Sequence, residues 1–194
     1  MVLSHYSEKS YIPIINFSTA ADETSIKIRN NVLSSLNKII GNKLKLDVNI
    51  YTAISYLVSE MTDNNAEHSG ENIGWLFAQY YPEDKFIDLC ILDTGKTILG
   101  SYAQSGFNKI DNHANAIEQA TKGVSTKAKE RGYGIPTSRK IIVDGLKGRF
   151  GLVSGDAILQ NEKITTIPAY WPGTFLTLRI PQKPLNFNIY EYIV

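Results

Sequence analysis

Apolar and polar positions along this chain follow two periods, and these predict most of its elements. Residues 11–17 (YIPIINF) are rich in β-branched and aromatic side chains and predict a short strand. From Asp22 to Ile40 the apolar residues Ile26, Val32, Leu33, Leu36 and Ile40 recur at helical spacing, and Gly41 and Asn42 supply a stop. A second helix is expected from Asp47 to His68, ended by Ser69 and Gly70. Its Ile54, Leu57, Val58 and Met61 fall on one stripe, which should face a sheet. GWLFAQYY and FIDLCILD, separated by the turn PEDK, read as a hairpin.

Between Lys96 and Arg131 the pattern weakens, and it predicts only one modest helix, from about Asp111 to Thr121. So long a stretch with so little periodicity is uncommon in a compact domain unless it has a function. A helix opens at Gly132-Tyr133-Gly134 and continues to about Leu146, with Gly145 and Gly148 ending it. Strands follow at RFGLVSG, DAILQ and TFLTLRI, and the apolar tail FNIYEYIV should dock, as a further strand. The expected fold is a single α/β two-layer sandwich over residues 1–194, with helices on one face of a mixed, mostly antiparallel sheet. Residues 1–46 would complete the sandwich or, alternatively, mediate a homodimer.

Composition narrows the function classes. Twenty basic against nineteen acidic residues leave a formal charge of +1, so the basic footprint of a duplex nucleic-acid binder is missing. Cys90 is the only cysteine, which excludes a disulfide-stapled scaffold. The N-terminus lacks a signal peptide's apolar core, and no run approaches the ~18 apolar residues of a membrane span. A soluble, cytoplasmic protein is expected.

Three constellations carry candidate chemistry. Glu60 and Asn64, four apart, stack along the border of the second helix's apolar stripe. A carboxylate there can orient or deprotonate a water and an amide oxygen can ligate a hard cation, although a pair of solvated core-margin residues looks the same. Asp93-Thr94-Gly95 closes an apolar strand, where an acid can accept from a ligand amine while the glycine lets the backbone turn. Gly132-Tyr133-Gly134-Ile135-Pro136 opens a helix, and first-turn amides with two glycines suit a phosphate as well as a plain turn. Two familiar loops fail. A Walker A reading of Asp93-Thr94-Gly95-Lys96-Thr97 needs glycine at position 90 and meets Cys90. A dinucleotide fingerprint finds Gly132 and Gly134 but Thr137 in third place, with no strand before them. His68 falls back on the apolar stripe and reads as a core-margin histidine, Cys90 as a small buried residue, and Trp75, Tyr80 and Tyr81 as packing. Tyr190–Tyr192 reads as a docked terminus or a partner surface.

In order, these pieces resemble the Bergerat ATP-binding fold of the GHKL superfamily, which includes gyrase-type ATPases, heat-shock chaperones, histidine kinases and mismatch-repair proteins. SEMTDNNAEHS resembles the N box, CILDTG the G1 box, RGYGIPTSRKII the G2 box, and YWPGTFLTLRIP the late Gly-Thr region; together they span about residues 47–181. The likeness is greatest to histidine-kinase-like domains, free-standing anti-sigma-factor kinases included. The resemblance implies that Asn64 ligates Mg²⁺ on the phosphates of ATP and that Glu60 is the water-orienting base. It implies that Asp93 accepts from the adenine amino group, with Gly95 beside the base and the Thr174 hydroxyl near it. Gly132, Tyr133, Gly134 and Ile135 would cradle the phosphates. Residues 96–131 would form the ATP lid, whose Lys122, Lys127, Lys129 and Arg131 could reach a triphosphate or form a solvated face. Two departures stand out: Thr97 replaces the second G1 glycine, implying a stiffer hinge, and Asn65 replaces the usual small residue after the N-box Asn.

Two functions are compatible with this reading. One is phosphoryl transfer to a serine or histidine of a separate protein, or slow ATP hydrolysis; the other is a nucleotide-gated interaction switch without useful catalysis. A scaffold that no longer binds nucleotide is a third, supported by Thr97. Topoisomerase, mismatch-repair and chaperone roles are disfavoured, because those relatives need a transducer domain that this length does not contain.

Overall fold

In the computed structural model, residues 9–20, 22–44, 48–68, 73–126, 134–160, 162–182 and 187–193 are described. Strand β1 (Tyr11–Ser18) leads into helices α1 (Glu23–Leu44) and α2 (Val48–His68). Strands β2 (Ile73–Tyr81) and β3 (Phe86–Leu92) form the expected hairpin, paired from Trp75↔Leu92 to Tyr81↔Phe86. Two short helices follow, α3 (Ile98–Gln104) and α4 (His113–Thr121), then α5 (Gly134–Lys140), whose last turn widens into a π-helical turn at Ile141–Gly145. Strands β4 (Arg149–Gln160) and β5 (Lys163–Pro181) and a 3-10 turn at Ile189–Glu191 complete the chain.

The sheet runs β1-β2-β3-β5-β4, so the last strand sits inside it, between β3 and β4. Every pairing is antiparallel, which corrects the expectation of a mixed sheet. Strands β2 and β3, and β4 and β5, follow each other directly and pair as hairpins, which are necessarily antiparallel, while β1 pairs with β2 and β5 with β3 across intervening helices, also antiparallel. Alternate residues of each strand point to one buried side, where Leu76, Leu89, Ile91, Leu152, Leu176 and Leu178 meet Leu36, Ile54, Leu57 and Val58 from the helices. Burying one such leucine contributes about 2–3 kcal/mol. The helices thus cover one face of an open five-stranded sheet, the two-layer α/β arrangement that the pattern implied.

Several boundaries differ from expectation. Helix α1 continues through Gly41 and Asn42 to Leu44. Gly41 is no stop: a Cβ on it would lie 2.9 Å from the Tyr51 ring, so it lets Tyr51 of α2 pack closely on α1. RFGLVSG and DAILQ belong to one strand, β4, whose register shifts at Ser154/Gly155, and TFLTLRI is only the end of the 19-residue β5. An irregularity in the middle of a strand looks like two short strands when only alternation is read. Helix α3 was not expected, and the first helical residue near Asp111 is His113, with the Asn112 side chain capping it by accepting from Asn115 N at 2.8 Å. The tail forms a 3-10 turn instead of a strand. Its Phe187 and Ile189 are buried, and Phe187 stacks on Tyr192 at 5.5 Å between centroids. Among the described residues no helix is long and apolar enough to cross a membrane.

Candidate functional site

The end of β3 and the middle of β5 build the first half of the site. Asp93 is only 2% exposed, and its backbone N–H donates to Thr174 O at 2.9 Å. Its carboxylate Oδ1 accepts from the Gly95 amide at 2.9 Å, which turns the chain sharply beneath the side chain. Its carbonyl accepts from Trp171 Nε1, also at 2.9 Å. Gly173 lies against the same atoms. Its φ is +134°, and a Cβ there would fall 2.5 Å from Asp93 O and 2.6 Å from Oδ1, so only glycine fits. Ser154 ties this knot to the next segment: its hydroxyl donates to Gly173 O at 2.8 Å and accepts from Ile98 N at 3.0 Å. Asp93, Gly95 and Thr174, three of the residues singled out from sequence, are therefore brought together.

Helices α2 and α5 build the second half. Leu57, Val58 and Met61 anchor α2 in the core, which leaves Glu60 and Asn64 half-buried on the stripe's border, one turn apart. Gly134 opens α5 with φ +49°, and among the described residues the nearest side chain to the position of its absent Cβ is Asn64, with Nδ2 at 4.0 Å. Ile135, next to it, packs against both the main core and a smaller cluster described below. Arg29 of α1 holds the neighbouring turn of α2 through Asp63, 3.4 Å away. Gly132, Tyr133, Lys127, Lys129 and Arg131 lie outside the described residues, as do the side chains of Asn65 and His68. Lys122 pairs with Glu118 at 2.6 Å, with both side chains exposed.

Residues 97–126 join the two halves. Thr97 is the N-cap of α3, its hydroxyl accepting from Gly100 N at 3.0 Å, so the residue in the place of a second glycine starts a helix. Helices α3 and α4 share their own apolar cluster of Tyr102, Ala116 and Ala120, flanked by Phe107, Val124 and Ile135. The Tyr102 hydroxyl donates to Val124 O, and burial pushes its pKa up to about 12. The weak periodicity came from these helices being too short, at seven and nine residues, to complete a clear stripe.

Sequence reasoning missed Ser154 and Trp171. Ser154 had one usable signal, a hydroxyl residue followed by glycine within an apolar strand; Trp171 had none beyond lying two residues before Gly173. Among the described residues no cluster of three or more His, Cys, Asp or Glu could hold a metal ion. Cys90 sits mid-strand on β3, where burial and the charge of Asp88 push its thiol up, away from an activated thiolate.

Fold and site together define an α/β two-layer protein with a buried strand-end carboxylate and, at the start of α5, a glycine beside the polar border of α2. No family model, no curated protein and no solved structure matches the chain.

Proposed function

We propose that the chain is a Mg-ATP-binding domain of the Bergerat, histidine-kinase-like type that transfers phosphate to a separate protein or hydrolyses ATP slowly. The observation that carries this reading is the knot around Asp93. Segments eighty residues apart in sequence fix a buried carboxylate by its own backbone and by Gly95, beside Thr174. A buried carboxylate with a tight backbone around it suits a planar ligand that offers an amine. The Asn64 amide next to Gly134 suits the other end of the same ligand, where phosphate oxygens and a hard cation need an amide oxygen and backbone N–H groups. Mg²⁺, when bound, would neutralise phosphate charge; Asn64 would hold it, and Glu60, one turn earlier, would orient the attacking water or hydroxyl. Regulation of a protein partner in trans is the corresponding cellular role.

Calorimetric titration of ATP with Mg²⁺ tests this on wild type, Asp93→Asn and Glu60→Gln. The expected result is micromolar binding in wild type, a loss of at least about tenfold in Asp93→Asn from one weakened charged hydrogen bond, and unchanged binding without turnover in Glu60→Gln. Binding with no turnover in wild type would make the domain a nucleotide-gated switch. No heat and no thermal stabilisation by ATP would overturn both.

A further inference from the structure

The carbonyl of Asp93 is held by a side chain, and β5 is bent to bring that side chain to it. One step on β4, from Ser154 to Gly155, answers to three on β5, from Thr174 to Trp171, so Pro172 and Gly173 stand extra opposite β4. A bulge of this kind re-aims the residues beside it. Pro172 fixes one φ of the bulge, Gly173 takes up φ +134°, and the Ser154 hydroxyl pins it by donating to Gly173 O at 2.8 Å. Beyond the bulge the Trp171 indole returns to Asp93 and donates from Nε1 to its carbonyl at 2.9 Å.

The indole has little freedom. Its ring lies against Phe175, with 5.7 Å between centroids and a tilt of 38°, and Phe175 is the ladder partner of Leu92, the residue before Asp93. Gly155, opposite Trp171 on β4, lies under the His113 ring of α4, and His113 in turn meets the Tyr170 ring at 5.6 Å. Asp93 is thus held at three points: its N–H by Thr174 O, its Oδ1 by the Gly95 amide and its carbonyl by the indole. The first two are bonds that a strand end followed by a tight turn supplies from backbone alone. The third needs the indole N–H, because a phenylalanine could fill the same place against Phe175 and would leave the carbonyl without this donor.

We propose that Trp171 is a positioning residue for base recognition, an inference that rests on the nucleotide reading given above. By holding the Asp93 peptide it fixes the direction of the carboxylate, and so sets the preference for a purine with an amine at C6 over one without it. An ionised carboxylate only accepts, so it attracts that amine and repels a carbonyl oxygen in the same place. How large the preference becomes depends on the carboxylate being unable to turn away from a ligand that does not suit it. The phosphate end of the site stands on other elements, Asn64 on α2 and Gly134 on α5. Losing the indole N–H therefore acts on the base and leaves the triphosphate contacts as they were.

The test compares ATP with purine riboside 5′-triphosphate, which lacks the amine, each titrated with Mg²⁺ into wild type and Trp171→Phe. Wild type is expected to bind ATP at least about tenfold tighter than the amine-free triphosphate. Trp171→Phe should bind the amine-free triphosphate as wild type does, while its preference for ATP falls to about threefold or less. A tryptophan with a merely structural role would weaken both nucleotides alike and leave their ratio where it was. That result overturns the proposal, and so does a wild type that binds both equally well. If neither triphosphate binds wild type, the nucleotide reading itself falls, and this inference with it. Should Trp171→Phe not fold, Trp75→Phe leaves Trp171 as the only tryptophan. At saturation ATP is then expected to shift its emission more than the amine-free triphosphate does, and equal shifts or none overturn the proposal.

Discussion

The two halves of the candidate site are built on opposite terms. At the strand end, Asp93 is held by Thr174, Gly95, Trp171 and Ser154 through Gly173, and a single added methyl at Gly173 would collide with backbone. At the helix end, a Cβ placed on Gly134 would lie 4.0 Å from Asn64 Nδ2, with no closer neighbour among the described residues. One half is fixed before any ligand arrives; the other has space to adjust to one. For the proposed nucleotide this divides the labour. Under that proposal a rigid planar base would gain from groups already fixed, because little ordering is left to oppose binding, while a phosphate chain with a metal would need a site that can close around it.

The sharpest way to break this contrast is one chemical change made at both ends. Gly173→Ala adds a Cβ at φ +134° and 2.5 Å from Asp93 O, combining strain with a clash. It should cost about 3 kcal/mol or more, which for a domain of this size lowers Tm by roughly 6–12 °C in thermal denaturation. Gly134→Ala meets no clash among the described residues and keeps the penalty of φ +49°. Its cost should be about 1–2 kcal/mol, with a correspondingly smaller fall in Tm. Equal losses in the two variants would remove the distinction between a fixed and an adjustable half.

A smaller effect sharpens the role of residues 97–126, which connect them. Tyr102→Phe removes the hydroxyl that donates to Val124 O and should cost about 1 kcal/mol at neutral pH. The folded-state pKa of Tyr102, about 12, lies above the roughly 10 of an exposed tyrosine. Its contribution is therefore complete below about pH 10 and lost as pH rises toward 12, because the unfolded chain releases that proton first. Amide hydrogen exchange in α3 and α4 should accelerate over that window in wild type and change less in Tyr102→Phe.

Much of this architecture was legible in the order of residues, for identifiable reasons. Helix α2 and the β2–β3 hairpin have long, regular stripes, and both came out within a residue or two of their bounds. The segment from Lys96 onward failed because α3 owes its start to a cap, Thr97, more than to a periodic face. Strand β4 was split because its bulge interrupts alternation without ending the ladder. The aromatic residues of β2 were read together as packing, yet Tyr80 packs on the core while Trp75 faces the other way. Alternation tells which residues share a side but not which side is covered. In the site, Asp93 with Gly95 and Glu60 with Asn64 were visible as local spacings. Ser154 and Trp171 act through partners 19 to 78 residues distant, a relation no local pattern contains.

The interior position of β5 also sets a timetable for the nascent chain. On the ribosome, β3 is finished about 70 residues before β5 begins, so at roughly 5–20 residues per second its hydrogen-bonding edge stands open for several seconds. Throughout that interval the β1–β2–β3 unit exposes an unpaired strand edge. Synthesis speed between residues 93 and 163, rather than equilibrium stability, should then decide how much of the protein escapes aggregation when it is overproduced.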